Sequence, residues 1–292
     1  MSRMIGGVER RVIAVLGRVA LLGAVSATGA CVAENSISLI IQQGQVPVMS
    51  GTTGCTVSAD PSQLFQNAGI LDLSVRRSYR FFPLYRSEVL TYSRASSGRP
   101  ETRGIVVDGA HVSLHVNGAT GPAPTLPMGV TPTYDLSTTT FVAASTSTGP
   151  GFGVGGLEII SGEAGTALAM ANCAPTPSAD PAACPVPTWP TWSSTMTVSI
   201  RPFGHTMGGI QVEGGTYNFA LTLCCHCLVS FPASADDSMR AGPDCSSTTA
   251  ASTDVCDLGQ DRVFDCRSCS GSNTAACQPP GYRRDPMVSC VP

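Results

Sequence analysis

The sequence contains no lysine; all 17 of its basic residues are arginine. That absence excludes chemistry built on a lysine amine, namely the Walker phosphate loop, the Ser-x-x-Lys nucleophile and the Schiff-base enzymes. Charge of either sign is scarce. Only 13% of the 292 residues are charged, about half the share usual in a soluble domain, and aromatic residues make up 6%. With a formal charge of −3 and a pI near 5.8, the chain has no basic footprint for displacing counterions, so no nucleic-acid partner is expected. Catalytic motifs are missing as well: there is no G-x-S-x-G elbow and no H-E-x-x-H. Gly151 to Gly156 matches G-x-G-x-x-G, but Pro150 precedes it and a strand-like LEII follows, so no helix N-terminus would face a phosphate. That stretch reads as a flexible loop. No cofactor and no enzymatic activity are expected.

In place of charge the chain carries 31 glycines, 22 prolines and 13 cysteines. Residues 1–30 read as a secretory signal peptide. Arg3, Arg10, Arg11 and Arg18 supply positive charge, Val19 to Val25 form an apolar run, and small residues lead from Ser26 to Ala30. Arg18 lies inside the longer apolar stretch and makes it a poor transmembrane helix. Removing the leader leaves 13 arginines against 19 acidic residues, a charge of −6. Thr28-Gly29-Ala30-Cys31 resembles the lipobox of bacterial lipoproteins, although Thr28 stands where a leucine is usual. In such proteins the cysteine is lipidated and becomes the mature N-terminus. Val32 is not aspartate, which by the same resemblance implies sorting to the outer membrane. The resemblance thus implies a lipid anchor at Cys31. Ordinary cleavage after Ala30 or Ala33 would instead give a secreted extracellular protein.

Beyond Cys31 the cysteines are Cys55, Cys173, Cys184, Cys224, Cys225, Cys227, Cys245, Cys256, Cys266, Cys269, Cys277 and Cys290. Their even number in an exported chain reads as a disulfide framework. Cys173 and Cys184 bracket a Pro-rich segment and are expected to pair. One core-strand cysteine, Cys225 or Cys227, is expected to pair with Cys55 or with the C-terminal tail. Zinc is the competing reading, because Cys224-x-x-Cys227 and Cys266-x-x-Cys269 are two C-x2-C pairs. However, 38 residues separate them, more than the usual ribbon spacing. A redox use of Cys224 and Cys227 lacks the helix N-terminus that lowers a thiol pKa.

Short alternating segments dominate the rest. Residues 37–49 read as a first strand broken by Gly44. Leu71, Leu73 and Val75 alternate with Asp72, Ser74 and Arg76 in the period of a half-buried strand. In 104–116, Ala110, Val112, Leu114 and Val116 face one way and His111, Ser113 and His115 the other, with Asp108-Gly109 as a candidate tight turn. Residues 138–144, 157–160 and 196–202 read as further strands, and 217–231 as a central strand alternating throughout. Helical signals are limited to 61–68 and 164–171. The pattern predicts an all-β fold, a single Ig-like or jelly-roll-type β-sandwich over residues 31–232, with a Pro-rich loop insert at 171–192. Residues 233–292 hold only nine large apolar residues but six cysteines. They read as an irregular tail held by disulfides, each contributing roughly 2–4 kcal/mol.

Candidate sites are few. His111 and His115 share a strand face about 13 Å apart, too far to chelate one ion, and read as solvent-facing. His205 falls in a Gly-rich turn, and His226 points away from Cys225 and Cys227 in a regular strand. Arg76, Tyr79, Arg80 and Tyr85 form a candidate surface binding patch for an anion or glycan. Asp254, Asp257, Asp261 and Asp265 lack the EF-hand spacing, so no metal site is assigned.

Several stretches together resemble a known group of proteins: CTVSADPS (55–62), GILDLSV (69–75), YRFFPLYRSEV (79–89), TRGIVVDGAHVSL (102–114) and GHTMGGIQVEGGTYNFALTLCCHCLVSF (204–231), followed by the Cys-rich end. The chain is similar over most of its mature length to a family of exported, β-rich, Cys-tailed lipoproteins of Gram-negative soil bacteria. The Cys173–Cys184 insert and the adjacent Cys224-Cys225 pair depart from that pattern. The resemblance implies envelope localisation and a sandwich-plus-tail layout, and no catalytic residue or ligand. The expected function is a non-enzymatic cell-envelope lipoprotein with a binding or structural role at the outer membrane, its partner an envelope protein or a glycan. The alternatives are a secreted hydrolase of polysaccharide or peptide, and a zinc-binding module using the two C-x2-C pairs.

Overall fold

The computed structural model describes residues 38–50, 54–89, 103–117, 126–146, 148–173, 192–231, 245 and 256–269. The leader 1–30, Cys31, most of the 171–192 insert, Asp254, Cys184, Cys277 and Cys290 lie outside the described residues.

The strands in chain order are β1 (Leu39–Gln45), β2 (Val48–Met49), β3 (Cys55–Thr56), β4 (Phe65–Gln66), β5 (Ala68–Asp72), β6 (Tyr79–Phe81), β7 (Pro83–Ser87), β8 (Ile105–Val116), β9 (Thr133–Val142), β10 (Gly151–Val154), β11 (Leu157–Ile160), β12 (Ser193–Thr206), β13 (Gln211–Glu213), β14 (Tyr217–Cys224), β15 (Val229–Ser230) and β16 (Phe264–Asp265). A helix, α1 (Gly162–Asn172), follows β11. One sheet runs β5-β14-β12-β8-β9, with β13 continuing beside β12; a second runs β10-β7-β1-β4, and β6 pairs with β11.

The protein is an all-β sandwich. Alternation drives it: Met196, Val198 and Ile200 of β12 are buried while their neighbours face out, and β8 buries Ala110, Val112 and Leu114 in the same way. Across the core, Leu39, Ile41 and Tyr85 from the second sheet join Ile105, Val107, Phe219 and Leu221 from the first. Phe81 packs on Phe219 with ring centroids 4.8 Å apart. Each fully buried side chain of this kind contributes roughly 1.5–3 kcal/mol.

Several expectations are corrected. Asp108-Gly109 makes no turn: β8 is continuous, with a register shift between Val107 and Gly109. The extra residue restores the inward phase after Val107. Residues 61–68 form no helix. Asp60 Oδ1 accepts from Ser62 N and Oγ, and Phe65–Gln66 then pairs with β1. The glycine-rich loop is in part a strand, β10. A Cβ on Gly151 would lie 1.8 Å from the Ala143 carbonyl oxygen, so glycine is required there for close approach to the end of β9. The alternation over 217–231 breaks at Cys224. His205 lies in β12, paired with Val106 and Gln211, and not in a turn. The expected helix at 164–171 is present as α1, where Ser161 Oγ accepts from Ala164 N, an N-cap.

The described part of the tail is docked on the sandwich. Gln260 forms a β-bridge with Leu71, β16 pairs with β15, and Phe264 packs with Leu228. The tail therefore covers the outer edge of β5, whose other edge pairs in parallel with β14. That parallel pairing departs from a purely antiparallel sandwich.

Gly162 and Gly165 of α1 separate two effects. A Cβ on Gly165 would meet the Arg77 carbonyl oxygen at 1.6 Å, whereas one on Gly162 meets nothing within 4 Å. Urea denaturation should show Gly165→Ala destabilised by about 1–3 kcal/mol or more and Gly162→Ala stabilised by about 0.4–1 kcal/mol.

Candidate functional site

The cysteines are placed first. Cys55 bonds Cys256, Cys173 bonds Cys225, Cys224 bonds Cys227 and Cys245 bonds Cys266. Cys269 ends the short 3-10 turn that begins at Cys266. The expected Cys173–Cys184 pair is thus corrected. Cys173 caps α1, its N–H donating to the Ala169 carbonyl, and that end of the helix meets the residue just past β14. The expected pairing of Cys225 or Cys227 with Cys55 or the tail is corrected too. Cys55 does reach the tail, but through Cys256. Three of the four zinc-candidate sulfurs, those of Cys224, Cys227 and Cys266, are consumed in bridges. Among the described residues, the metal-ligand atoms that gather within 4.8 Å are those of Asp72, Cys224 and Cys227.

Asp72 is a wholly buried carboxylate at the end of β5. Its Oδ1 accepts from Ser74 N, Ser74 Oγ and His226 N at 3.0, 2.5 and 2.8 Å. Its Oδ2 accepts from Leu228 N at 3.0 Å. A buried carboxylate is tolerable only with such donors. Here they come from two turns, one after β5 and one after β14, so the acid ties the two together. His226 adopts φ 59°, and the chain leaves the strand at this point. The alternation of 71–75 had assigned Asp72 and Ser74 to the solvent side; both are buried.

A second carboxylate binds the tail. Asp261 accepts from Tyr79 Oη, 2.9 Å from each of its oxygens, from Gln66 Nε2 at 2.9 Å and from Ile70 N at 2.8 Å. The neighbouring Gln260 amide donates to the Arg80 carbonyl at 2.7 Å and accepts from Arg80 N at 3.0 Å, acting as one more strand residue. Arg76 Nη1 meets Asp257 at 2.7 Å. The expected surface patch is therefore corrected. Tyr79 and Tyr85 have no solvent exposure, Arg76 is held by the tail, and only Arg80 projects outward. Burial, reinforced by the Asp261 charge, pushes the Tyr79 phenol well above its ordinary pKa. Asp257 and Arg262 line a shallow cleft against Val46 and Pro47. Of the aspartates considered for calcium, the described Asp257, Asp261 and Asp265 each have partners of their own, with Asp265 held below the usual carboxylate range by the Arg267 guanidinium.

The outer face of the six-stranded sheet carries Phe141, Phe203, His111 and His205. Cross-strand register sets three rows: Phe141–Val106–His205, Ser137–Gly109–Phe203 and Asp135–His111–Arg201. Within them His111 Nδ1 lies 2.6 Å from Asp135, His205 Nδ1 lies 2.7 Å from Asp108, and Arg201 Nη1 lies 3.1 Å from Glu213. The Phe203 ring lies against His111, centroids 4.7 Å apart, and covers Gly109, where a Cβ would meet it at 2.6 Å. Phe141 is 58% exposed. The β8 bulge turns Asp108 toward His205. His115 is exposed, as expected. Sequence reasoning missed Asp108, Asp135 and Phe203 because their partners lie on other strands; strand alternation alone put His111 on the right face.

The two buried tyrosines make opposite predictions. Tyr79→Phe removes a hydroxyl that satisfies Asp261 and is expected to cost about 1–3 kcal/mol in urea denaturation at neutral pH. The Tyr85 hydroxyl has no hydrogen-bond partner among the described residues, so Tyr85→Phe should be neutral or stabilising. The raised Tyr79 pKa means the folded protein keeps a proton that the unfolded chain releases near pH 10. Stability should be level below that pH and fall as pH rises above it. Thermal melts above pH 10 should show a shallower decline in Tyr79→Phe.

In comparison with known proteins, no family model, curated protein or solved structure matches the chain.

Proposed function

We propose that the chain is a non-enzymatic cell-envelope protein, exported and lipid-anchored through Cys31 at the outer membrane, that binds a glycan on the outer face of its six-stranded sheet. The disulfides support export, because bridges such as Cys55–Cys256 and Cys173–Cys225 persist in an oxidising compartment and not against cytosolic reductants. The sequence features of residues 1–31 support the anchor.

The observation that carries the binding role is the partly exposed Phe203 ring with His111, His205, Arg201, Asp108 and Asp135 on the same face. A sugar presents a C–H face that packs on an aromatic ring, and hydroxyls that need donors and acceptors around it. An open face also suits a chain polymer better than an enclosed small molecule. The hydrolase reading has less support, since the carboxylates beside the cleft are engaged: Asp257 by Arg76 and Asp261 by Tyr79. The zinc reading has less support for the same kind of reason, three of its four sulfurs, those of Cys224, Cys227 and Cys266, being bridged.

Two measurements test this. In sedimentation with purified envelope polysaccharide, Phe203→Ala should weaken binding by about tenfold, ~1.4 kcal/mol, with unchanged circular dichroism; equal binding by both proteins would reject the surface. Mass spectrometry of the mature protein should find acylated Cys31 at the N-terminus, and an unmodified cysteine would remove the anchor.

A further inference from the structure

We propose that the Cys224–Cys227 bridge is a thiol–disulfide exchange site, able to oxidise a pair of thiols on an exported partner protein. This goes beyond the glycan-binding reading and does not depend on it.

Three observations carry it. The first is access. Cys227 is exposed while Cys224 is buried at the end of β14, so one sulfur of the bridge is open to attack and the other is sheltered. Both partners are buried in the Cys173–Cys225 and Cys245–Cys266 bridges; Cys55–Cys256 also has an exposed sulfur, at Cys55, and differs in the long stretch of chain it closes.

The second observation is redundancy. The turn carrying the bridge is already held without it. Asp72 accepts from His226 N and Leu228 N, Cys225 N donates to the Trp192 carbonyl, and Cys225 is itself bonded to Cys173. The bridge closes a sequence separation of three residues, against 201 for Cys55–Cys256. It therefore removes little conformational freedom from the unfolded chain, and the fold in turn protects it little against reduction. Opening it leaves Asp72, β14 and the neighbouring bridge in place.

The third observation concerns the leaving sulfur. Cys224 Sγ lies 3.6 Å from the Leu71 carbonyl oxygen, which is placed to accept from it as a thiol. The buried thiol that Cys224 becomes after leaving therefore has an acceptor in place. No helix N-terminus activates either sulfur. None is needed when the attacking thiolate belongs to the partner.

The step balances as follows. A partner thiolate attacks Cys227 Sγ, a mixed disulfide forms, the Cys224–Cys227 bond breaks, and Cys224 leaves with the electron pair and takes up a proton. The partner's second thiolate then attacks the partner sulfur of the mixed disulfide. The partner gains an S–S bond, and Cys227 leaves and is protonated. Two partner thiols are oxidised, the bridge is reduced to two thiols, and the two protons lost by the partner are those gained here.

The test uses the full mature protein. Graded dithiothreitol followed by iodoacetamide and peptide mass mapping should label Cys224 and Cys227 at least about ten times faster than Cys173, Cys225, Cys245 and Cys266, with the β-sheet circular dichroism retained. A synthetic peptide bearing two thiols should be oxidised stoichiometrically by the untreated protein. With the disulfide form of the same peptide, Cys224→Ser should trap a mixed disulfide through Cys227, and Cys227→Ser should trap at least about tenfold less. Labelling no faster than at the buried bridges, loss of sheet structure on opening, or failure to oxidise the peptide would each overturn the proposal. The labelling and peptide-oxidation arms need no variant, so they stand even if a serine variant does not fold.

Discussion

A carboxylate shut away from water must be surrounded by donors or it will not stay buried. Asp72 meets that demand with three backbone N–H groups and one hydroxyl drawn from two turns. The rest of this end of the molecule follows. β14 stops at Cys224 because the chain must bend to offer His226 N and Leu228 N to the acid. The bend sets Cys225 against the end of α1 and leaves Cys227 at the surface. β15 then starts on a new path, which gives β16 of the tail something to pair with. One buried carboxyl side chain decides where a strand ends, which cysteines meet and where the tail can land.

Asp261 repeats the device at longer range. Its partners, Tyr79, Gln66 and Ile70, lie on β6, β4 and β5, so a residue of the tail completes the polar interior of the sandwich. Gln260 mimics a backbone amide toward Arg80, and Arg76 is neutralised by Asp257. These contacts explain how a segment with few large apolar side chains docks on the sandwich. Its stability is borrowed from buried polar groups already present on the sheet, with Cys55–Cys256 as the covalent tie.

The all-β class and the long strands β8 and β12 were legible from alternation, because Ala110 to Leu114 and Met196 to Ile200 repeat the pleat without interruption. Helix α1 was legible from its small apolar run, while its Ser161 cap emerged only with the structure. What alternation hid were places where a polar side chain is buried or a strand is interrupted. Asp72 and Ser74 have the spacing of a solvent-facing row, yet they face donors about 150 residues away. Tyr79 and Tyr85 sit among arginines in sequence, which suggests a surface patch, but strand phase turns both rings inward. Disulfide partners were illegible for the same reason: pairing depends on which loops the sheets bring together, and Cys173 meets Cys225 only once α1 has packed. The His–Asp pairs of the outer face needed cross-strand register, which no local pattern reports.

The placement of β5 has a consequence for how the chain matures. This strand is made early, yet one edge waits for β14 and the other for Gln260 and Asp261, the latter bonding Ile70 across 191 residues. Contacts of such separation form slowly. While the chain is being made, β5 stays an open template until β14 and the 260–261 segment have been added, exposed to mispairing with a neighbour. The first strand of the six-stranded sheet to be synthesised is thus the last to be closed, and successful assembly depends on the 260–261 segment emerging before that edge finds a wrong strand.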